Sequence, residues 1–270
     1  NDFVGGLVGC NDATAKITNT STSLLTVSGE VTGGKAVGGM IGLNLAPALP
    51  AADIKVTEIS GTLCVGGVIG ANMPVAGTDG TAFTITSATS DGTVGRFTTT
   101  AKAGRIKADG LAGGIIGYNC LLASAPNDLT TILPTVAQKT GLVTVNTLPR
   151  SDKEMTLNDA ANQFNLEVNA YVGGIVGMAF GGTISDCGNS GEISAKSTNN
   201  AGGIVGYNGS NGKGISGCYN AGTVYGPGVQ AAGLLGNAGG QTGDNCKPSM
   251  KGCYNAGKVV GAEGKAFGLY

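Results

Sequence analysis

The chain has 270 residues, 41% of them hydrophobic, so it can bury a core as one large or two modest domains and is not a disordered polypeptide. Charged residues are only 12% and aromatics 5%, Trp is absent and Gly reaches 50, so the core must bring backbone close to backbone instead of relying on large side chains. A net charge of -1 and a pI near 5.4 lack the basic footprint of a nucleic-acid or anionic-membrane partner, and no apolar run of about 18 residues is present to span a membrane.

In chain order, the first element is the phrase "FVGGLVGCN" at residues 3–11, which returns as "AVGGMIGLN" at 36–44 and "CVGGVIGAN" at 64–72. An insertion at 73–110, holding the Thr-rich and β-prone "TAFTITSATSDGTVGRFTTT", interrupts the series before "LAGGIIGYN" at 111–119. A second insertion, 120–168, carries three of the eight prolines, the charge cluster from Arg150 to Glu154, and one predicted helical turn near "LNDAANQF". The phrase then recurs as "YVGGIVGMA" at 171–179 and "NAGGIVGYN" at 200–208, with degraded copies "QAAGLLGNA" at 230–238 and "KAFGLY" at 265–270. The chain opens inside a motif, without a charged or apolar leader, and stops partway through its last one. That favours a piece of a longer protein over a chain whose signal peptide was removed.

The second glycine of each pair, or its equivalent, falls at Gly6, Gly39, Gly67, Gly114, Gly174, Gly203, Gly233 and Gly268, with spacings of 33, 28, 47, 60, 29, 30 and 35. A period of about 30 residues with two enlarged intervals marks a stacked repeat. Helical repeats are rich in Leu, Ala, Glu and Lys, whereas these units are rich in Gly, Val, Ile, Thr and Asn, so strands are predicted. A second phrase, "ISDCGNSGEIS" (184–194), "ISGCYNAGTVY" (215–225) and "MKGCYNAGKVV" (250–260), sets Cys187, Cys218 and Cys253 at equivalent positions and Asn189, Asn220 and Asn255 two residues later. One coil then reads as three short strands and three turns, and the whole as a single all-β domain over 1–270. This is a parallel β-helix-like solenoid of about eight repeats with right-handed crossovers. Eight coils at about 4.8 Å each make a rod on the order of 40 Å long.

In such a stack Gly174, Gly203 and Gly233 align as a glycine ladder, which permits a tight bend or the close approach of another backbone layer. Adjacent apolar pairs such as Ile175-Val176 cannot both face one core from a straight strand, so either the strand bends there or its second face is covered. The Asn that closes five motifs, Asn119 and Asn208 among them, suits a left-handed turn and an amide ladder. Cys187, Cys218 and Cys253 read as small inward-facing groups, and Cys246 with Cys253 is a candidate local disulfide in an oxidising compartment. No CxxC pair suggests a metal site. The two insertions read either as extra strands or a cover over the Gly-Gly layer, or as a binding face.

The "GG[IL]VG[YC]N" phrase followed by "I S x C x N x G x V" resembles the GLUG repeat, named for its Gly-Leu-any-Gly core, most strongly over residues 171–270 and partially over 1–72 and 111–119. That family occurs in large bacterial surface proteins and beside the zinc peptidase domain of some immunoglobulin A peptidases. The resemblance implies an extracellular or cell-surface bacterial location. It carries no settled biochemical activity.

Catalytic signals are weak. With no His, the chain holds no Ser-His-Asp or Cys-His arrangement and no HExxH zinc site, and no enzymatic activity or cofactor is expected. Glu30 and Glu58 each lie nine residues before the second glycine of their motif and are placed to stack, as a site or as solvent-facing charges. Tyr219 and Tyr254 follow the inward Cys in successive units, so they should point outward and stack as a ladder. Such a ladder either stiffens the sheet or receives a sugar ring or partner chain. Tyr118 and Tyr207 form a weaker pair inside the Gly-Gly phrase. The leading expectation is a noncatalytic adhesin or stalk segment that meets a host or cell-surface glycan or protein. Alternatives are a self-assembling filament subunit joined through open strand edges and a carbohydrate-processing β-helix enzyme; ice binding is remote, since no TxT ladder recurs.

Overall fold

Each of the six intact Gly-Gly phrases folds as two strands, because the chain bends at its second glycine and the apolar residue that follows. In the computed structural model, the described residues are 2–15, 17, 25–46, 49–50, 52–75, 83–85, 87–88, 94–95, 97–101, 103–124, 126, 128–129, 132–136, 143–144, 155–180, 182–196, 200–209, 212–239 and 249–269. Among them every regular element is a strand, and no helix is long and apolar enough to cross a membrane. One full coil runs through Gly182–Ser185, Gly188–Asn189, Ile193–Ala195, Ala201–Gly202 and Val205–Asn208, five strand segments where the sequence suggested three.

Equivalent segments of successive coils pair in parallel, forming a β-solenoid. The first limbs of the Gly-Gly phrases, from Phe3–Gly5 to Ala266–Phe267, make an eight-stranded sheet, and the second limbs, from Val8–Asn11 to Val205–Asn208, make a six-stranded one. A five-stranded sheet runs from Phe83–Ile85 to Ser249–Lys251, and a broad twelve-stranded sheet completes the tube. The continuous strand Ala52–Gly61 organises this last sheet, since its first half pairs with Phe97–Thr99 and its second half with Arg105–Ala108.

Residues of both insertions belong to the regular coils. Phe83–Ile85, Phe97–Thr99 and Arg105–Ala108 lie within 73–110, and Met155–Asn158, Ala160–Asn162 and Asn165–Val168 lie within 120–168. The inserted lengths are therefore narrower than those intervals. Each includes a short antiparallel pair, Ser87–Ala88 with Val94–Gly95 and Thr135–Val136 with Val143–Thr144. The helical turn expected near 157–164 is instead a strand corner. Asp159 takes φ 53°, as do Asp186 at 53°, Gly217 at 61° and Gly252 at 61° just before Cys187, Cys218 and Cys253. A left-handed corner repeated in four successive coils overrides the local Ala and Asn content. The charge cluster from Arg150 to Glu154 lies outside the described residues.

The second glycines stack along the tube. A Cβ on Gly39, Gly67, Gly114, Gly174, Gly203 or Gly233 would fall within 3.0 Å of the carbonyl oxygen of the second glycine in the next coil. Each backbone NH continues the ladder, as in Gly174 N to Gly202 O at 3.2 Å. The bend turns both apolar neighbours into one interior, so Met40 and Ile41, Val68 and Ile69, and Ile175 and Val176 all join the main core. The phrase's outer face is covered too. Leu43, Cys64, Ala71, Leu111, Tyr118 and Met178 form a second apolar cluster with Leu122, Ile132 and Leu133 from the start of the second insertion.

Two amide ladders hold the coils in register. Asn11, Asn44, Asn72 and Asn119 are joined by side-chain hydrogen bonds of 2.8 Å each. On the opposite wall Thr99 donates to Asn162 at 2.6 Å, and Asn162, Asn189, Asn220 and Asn255 continue at 2.8, 2.7 and 2.8 Å. In this second ladder the other amide hydrogen of each Asn goes to the carbonyl two residues on, for example Asn189 Nδ2 to Gly191 O at 3.0 Å. The second glycines rest on this ladder, since a Cβ at Gly174 would strike the Asn189 side chain and one at Gly203 that of Asn220.

Gly203→Ala is expected to lower stability by on the order of 3 kcal/mol through overpacking against rigid backbone, whereas Gly228→Ala, with nothing within 4 Å, should stay within about 0.5 kcal/mol. Chemical denaturation followed by far-UV circular dichroism separates the two. Asn189→Ala strands buried groups on Asn162 and Asn220 and should also cost about 3 kcal/mol by the same measurement.

Candidate functional site

Side chains alternate across the broad sheet, so every second residue of each coil faces outward and aligns with its equivalent in the next coil. One outward row reads Thr26, Asp53, Thr98, Ala161, Gly188, Tyr219, Tyr254. At its far end the Tyr219 and Tyr254 rings stack with centroids 5.6 Å apart and planes 13° from parallel. Their exposures of 37% and 57% leave ring surface open to solvent.

The Tyr219 ring does not stand upright. It lies back over Gly188, whose missing side chain makes the space, since a Cβ there would meet the ring's outer carbon and hydroxyl oxygen within 3.0 Å. The sequence hinted at this, because "DCGNSG" has Gly where the next two units have Tyr, but only the register puts that glycine under the ring. Tyr225, 47% exposed, opens on the same face in a parallel row between Ser194 and Val260. It was not singled out from sequence, as neither neighbouring unit repeats it.

Several charged residues on this face are paired. Glu30 and Glu58 are register partners, and Arg105 follows Glu58 in the same row. Lys107 Nζ bonds Glu58 Oε2 at 2.7 Å, Lys55 lies 3.3 Å from Asp53, and Lys196 contacts Glu167. Asp53 also accepts hydrogen bonds from the Thr98 and Thr100 hydroxyls at 2.8 Å. Glu58 thus meets a cation, while Glu30 stands beside it in register as an exposed carboxylate. Among the described residues no three His, Cys, Asp or Glu side chains converge as a metal site.

The other residues singled out from sequence lie inside the tube or on its motif face. Gly174, Gly203 and Gly233 line the glycine ladder. Cys187 and Cys218 are fully buried, Cys253 is partly covered in the last described coil, and all three are thiols. A hydrogen bond with Cys218, and then burial, pushes the Cys187 thiol well above its ordinary value, while burial alone raises Cys64. Cys246, the suggested partner of Cys253, lies outside the described residues. Asn119 ends the first amide ladder. Asn208, expected in the same ladder, is not an amide link, because its register neighbours are Ala179 and Ala238. Tyr118 and Tyr207 are separated by Met178 in register and do not pair; each instead packs at a tilt against Phe180, with centroids 6.0 Å away.

No protein-family model, curated protein or solved structure matches the chain.

Gly188→Ala is expected to lift Tyr219 off the sheet and disrupt the ring stack while the tube stays folded, since the obstructing atoms are the far end of a movable side chain. Near-UV circular dichroism should lose tyrosine signal with the far-UV spectrum unchanged.

Proposed function

We propose that this chain is a noncatalytic segment of an extracellular bacterial surface protein, of the kind built from GLUG repeats, and that it acts as a stalk bearing an adhesive face. The observation that carries this reading is the Tyr219–Tyr254 stack, a preformed aromatic surface turned to solvent. Flat aromatic rings receive the apolar face of a pyranose at little conformational cost, since two χ angles describe each tyrosine and stacking already restrains them. The ligand class is accordingly a cell-surface glycan. The absence of His from the chain, and the pairing of Glu58 with Lys107, both favour binding over catalysis.

The stalk role rests on construction. Coil-on-coil hydrogen bonding, two amide ladders and a continuous apolar core give a rod whose outward rows keep fixed spacing. Such a scaffold presents a surface without needing a mobile loop to do so.

A glycan and matrix-protein array probed with the wild-type chain and with Tyr219→Ala/Tyr254→Ala tests the proposal. At least one glycan should bind the wild type and weaken at least tenfold in the double variant, which should keep its far-UV spectrum. Binding to matrix protein alone would replace the glycan by a protein partner, and no binding by the wild type would remove the adhesive role.

A further inference from the structure

A groove of about 310 Å³ lies on the outer face, away from the tyrosine pair, between two rows that run along the solenoid axis. One row is Ser60, Lys107, Glu167 and Ser194, in direct register from coil to coil, and it continues to the exposed Tyr225. The other is Asp109, Asn169 and Lys196, tied together by the backbone bonds Asn169 N to Ala108 O at 3.0 Å and Lys196 N to Val168 O at 2.9 Å. Asn169 Nδ2 also donates to Asp109 Oδ1 at 3.1 Å. Four coils at one strand spacing make the groove about 14 Å long.

Its chemistry selects a ligand class. Lys107 and Lys196 oppose Glu167 and Asp109, so charges of both signs alternate along the walls, with a hydroxyl from Ser60 and an amide from Asn169 between them. An anion lying there meets two carboxylates and a cation meets two ammonium groups, so neither gains along the full length. A polyol has no such conflict, because each hydroxyl accepts from lysine or amide and donates to a carboxylate at once. The ion pairs of Lys107 with Glu58 and Lys196 with Glu167 are substantially exposed, so their rearrangement around a ligand costs little. Tyr225, next along the row, offers a ring face to the apolar side of a sugar.

We infer that this groove is a second binding site, for a neutral oligosaccharide laid along the solenoid axis, with Lys107, Asp109, Glu167, Asn169 and Lys196 contacting hydroxyls and Tyr225 stacking at one end. It rests on the recognition role proposed above for its ligand class, but not for its location. Titration calorimetry with neutral, uronic-acid and amino-sugar oligomers on the wild type, Tyr219→Ala/Tyr254→Ala, Asp109→Ala and Tyr225→Ala tests it, with Asp109→Asn as a conservative partner. All of these side chains are solvent-accessible, and far-UV spectra check folding.

The expected result is that the Tyr219→Ala/Tyr254→Ala variant still binds a neutral oligomer. Adding Asp109→Ala or Tyr225→Ala to that variant should then weaken this remaining binding at least tenfold. Residual binding unchanged by Asp109→Ala, or confined to uronic-acid or amino-sugar oligomers, overturns the groove while leaving the tyrosine platform standing. Loss of all glycan binding in the double tyrosine variant also overturns it. No binding by the wild type overturns both. Binding lost only with the groove variants supports the groove and removes the platform.

Discussion

The close approach of backbone to backbone at the Gly-Gly corner is the constraint from which the rest of this structure follows. Each second glycine faces the carbonyl of its equivalent one coil away, and on its other side meets a side chain from the opposite wall of the tube: Val27, Ile54 and Thr99 in the early coils, and Asn162, Asn189, Asn220 and Asn255 in the later ones. A methyl group at any of these positions would push into rigid backbone as well as into that side chain. Because the chain can bend so sharply there, two consecutive apolar residues turn into the same core. That is how a protein with few aromatics and no Trp still fills an interior with Val, Ile, Leu and Met.

Close walls create a second requirement, which is that any polar group between them be fully paired. The asparagine ladders meet it by repetition. Each amide oxygen accepts from the preceding coil and each amide nitrogen donates both to the following coil and to its own turn. The arrangement works only while the same residue recurs. Where Ala179 replaces Asn, the first ladder stops, and Phe180 packs between Tyr118 and Tyr207 in the adjoining second apolar cluster. Apolar packing thus takes over where hydrogen bonding along the stack ends.

The same regularity shapes the outer face. A parallel stack converts residues far apart in the chain into neighbours at one strand spacing, so Tyr219 meets Tyr254 and Lys107 meets Glu167 without any loop folding over to join them. Since the walls below are held by backbone ladders, these rows are preorganised, and a ligand bound to them would not have to order a flexible segment. The Tyr219 ring of the stack lies in the space left by glycine at residue 188 of the preceding coil; the row is a surface shaped by an absence as much as by two rings.

Composition and repeat spacing alone were enough to determine the architecture of this protein. Glycine at a period near 30 residues, with β-branched pairs between, leaves a stacked parallel β-structure as its simplest solution, and the identity of Cys187, Cys218 and Cys253 as equivalent positions followed from phrase matching. Outward stacking of Tyr219 on Tyr254 was legible for the same reason, since adjacent units share the phrase. Other features were decided only in three dimensions. Whether the Gly-Gly phrase bends or has both faces covered had to be seen, and it does both. The left-handed corner at Asp159 hid a coil strand behind a helix-like composition. The pairing of second glycines with the Asn162 to Asn255 ladder joins two phrases that sequence treats as separate. The groove between Lys107 and Lys196 had no repeat signature, because its members come from coils of unequal length and differ in residue type. Local sequence carries the period of a solenoid; which unlike side chains face one another across or along it depends on register, and register is a property of the assembled stack.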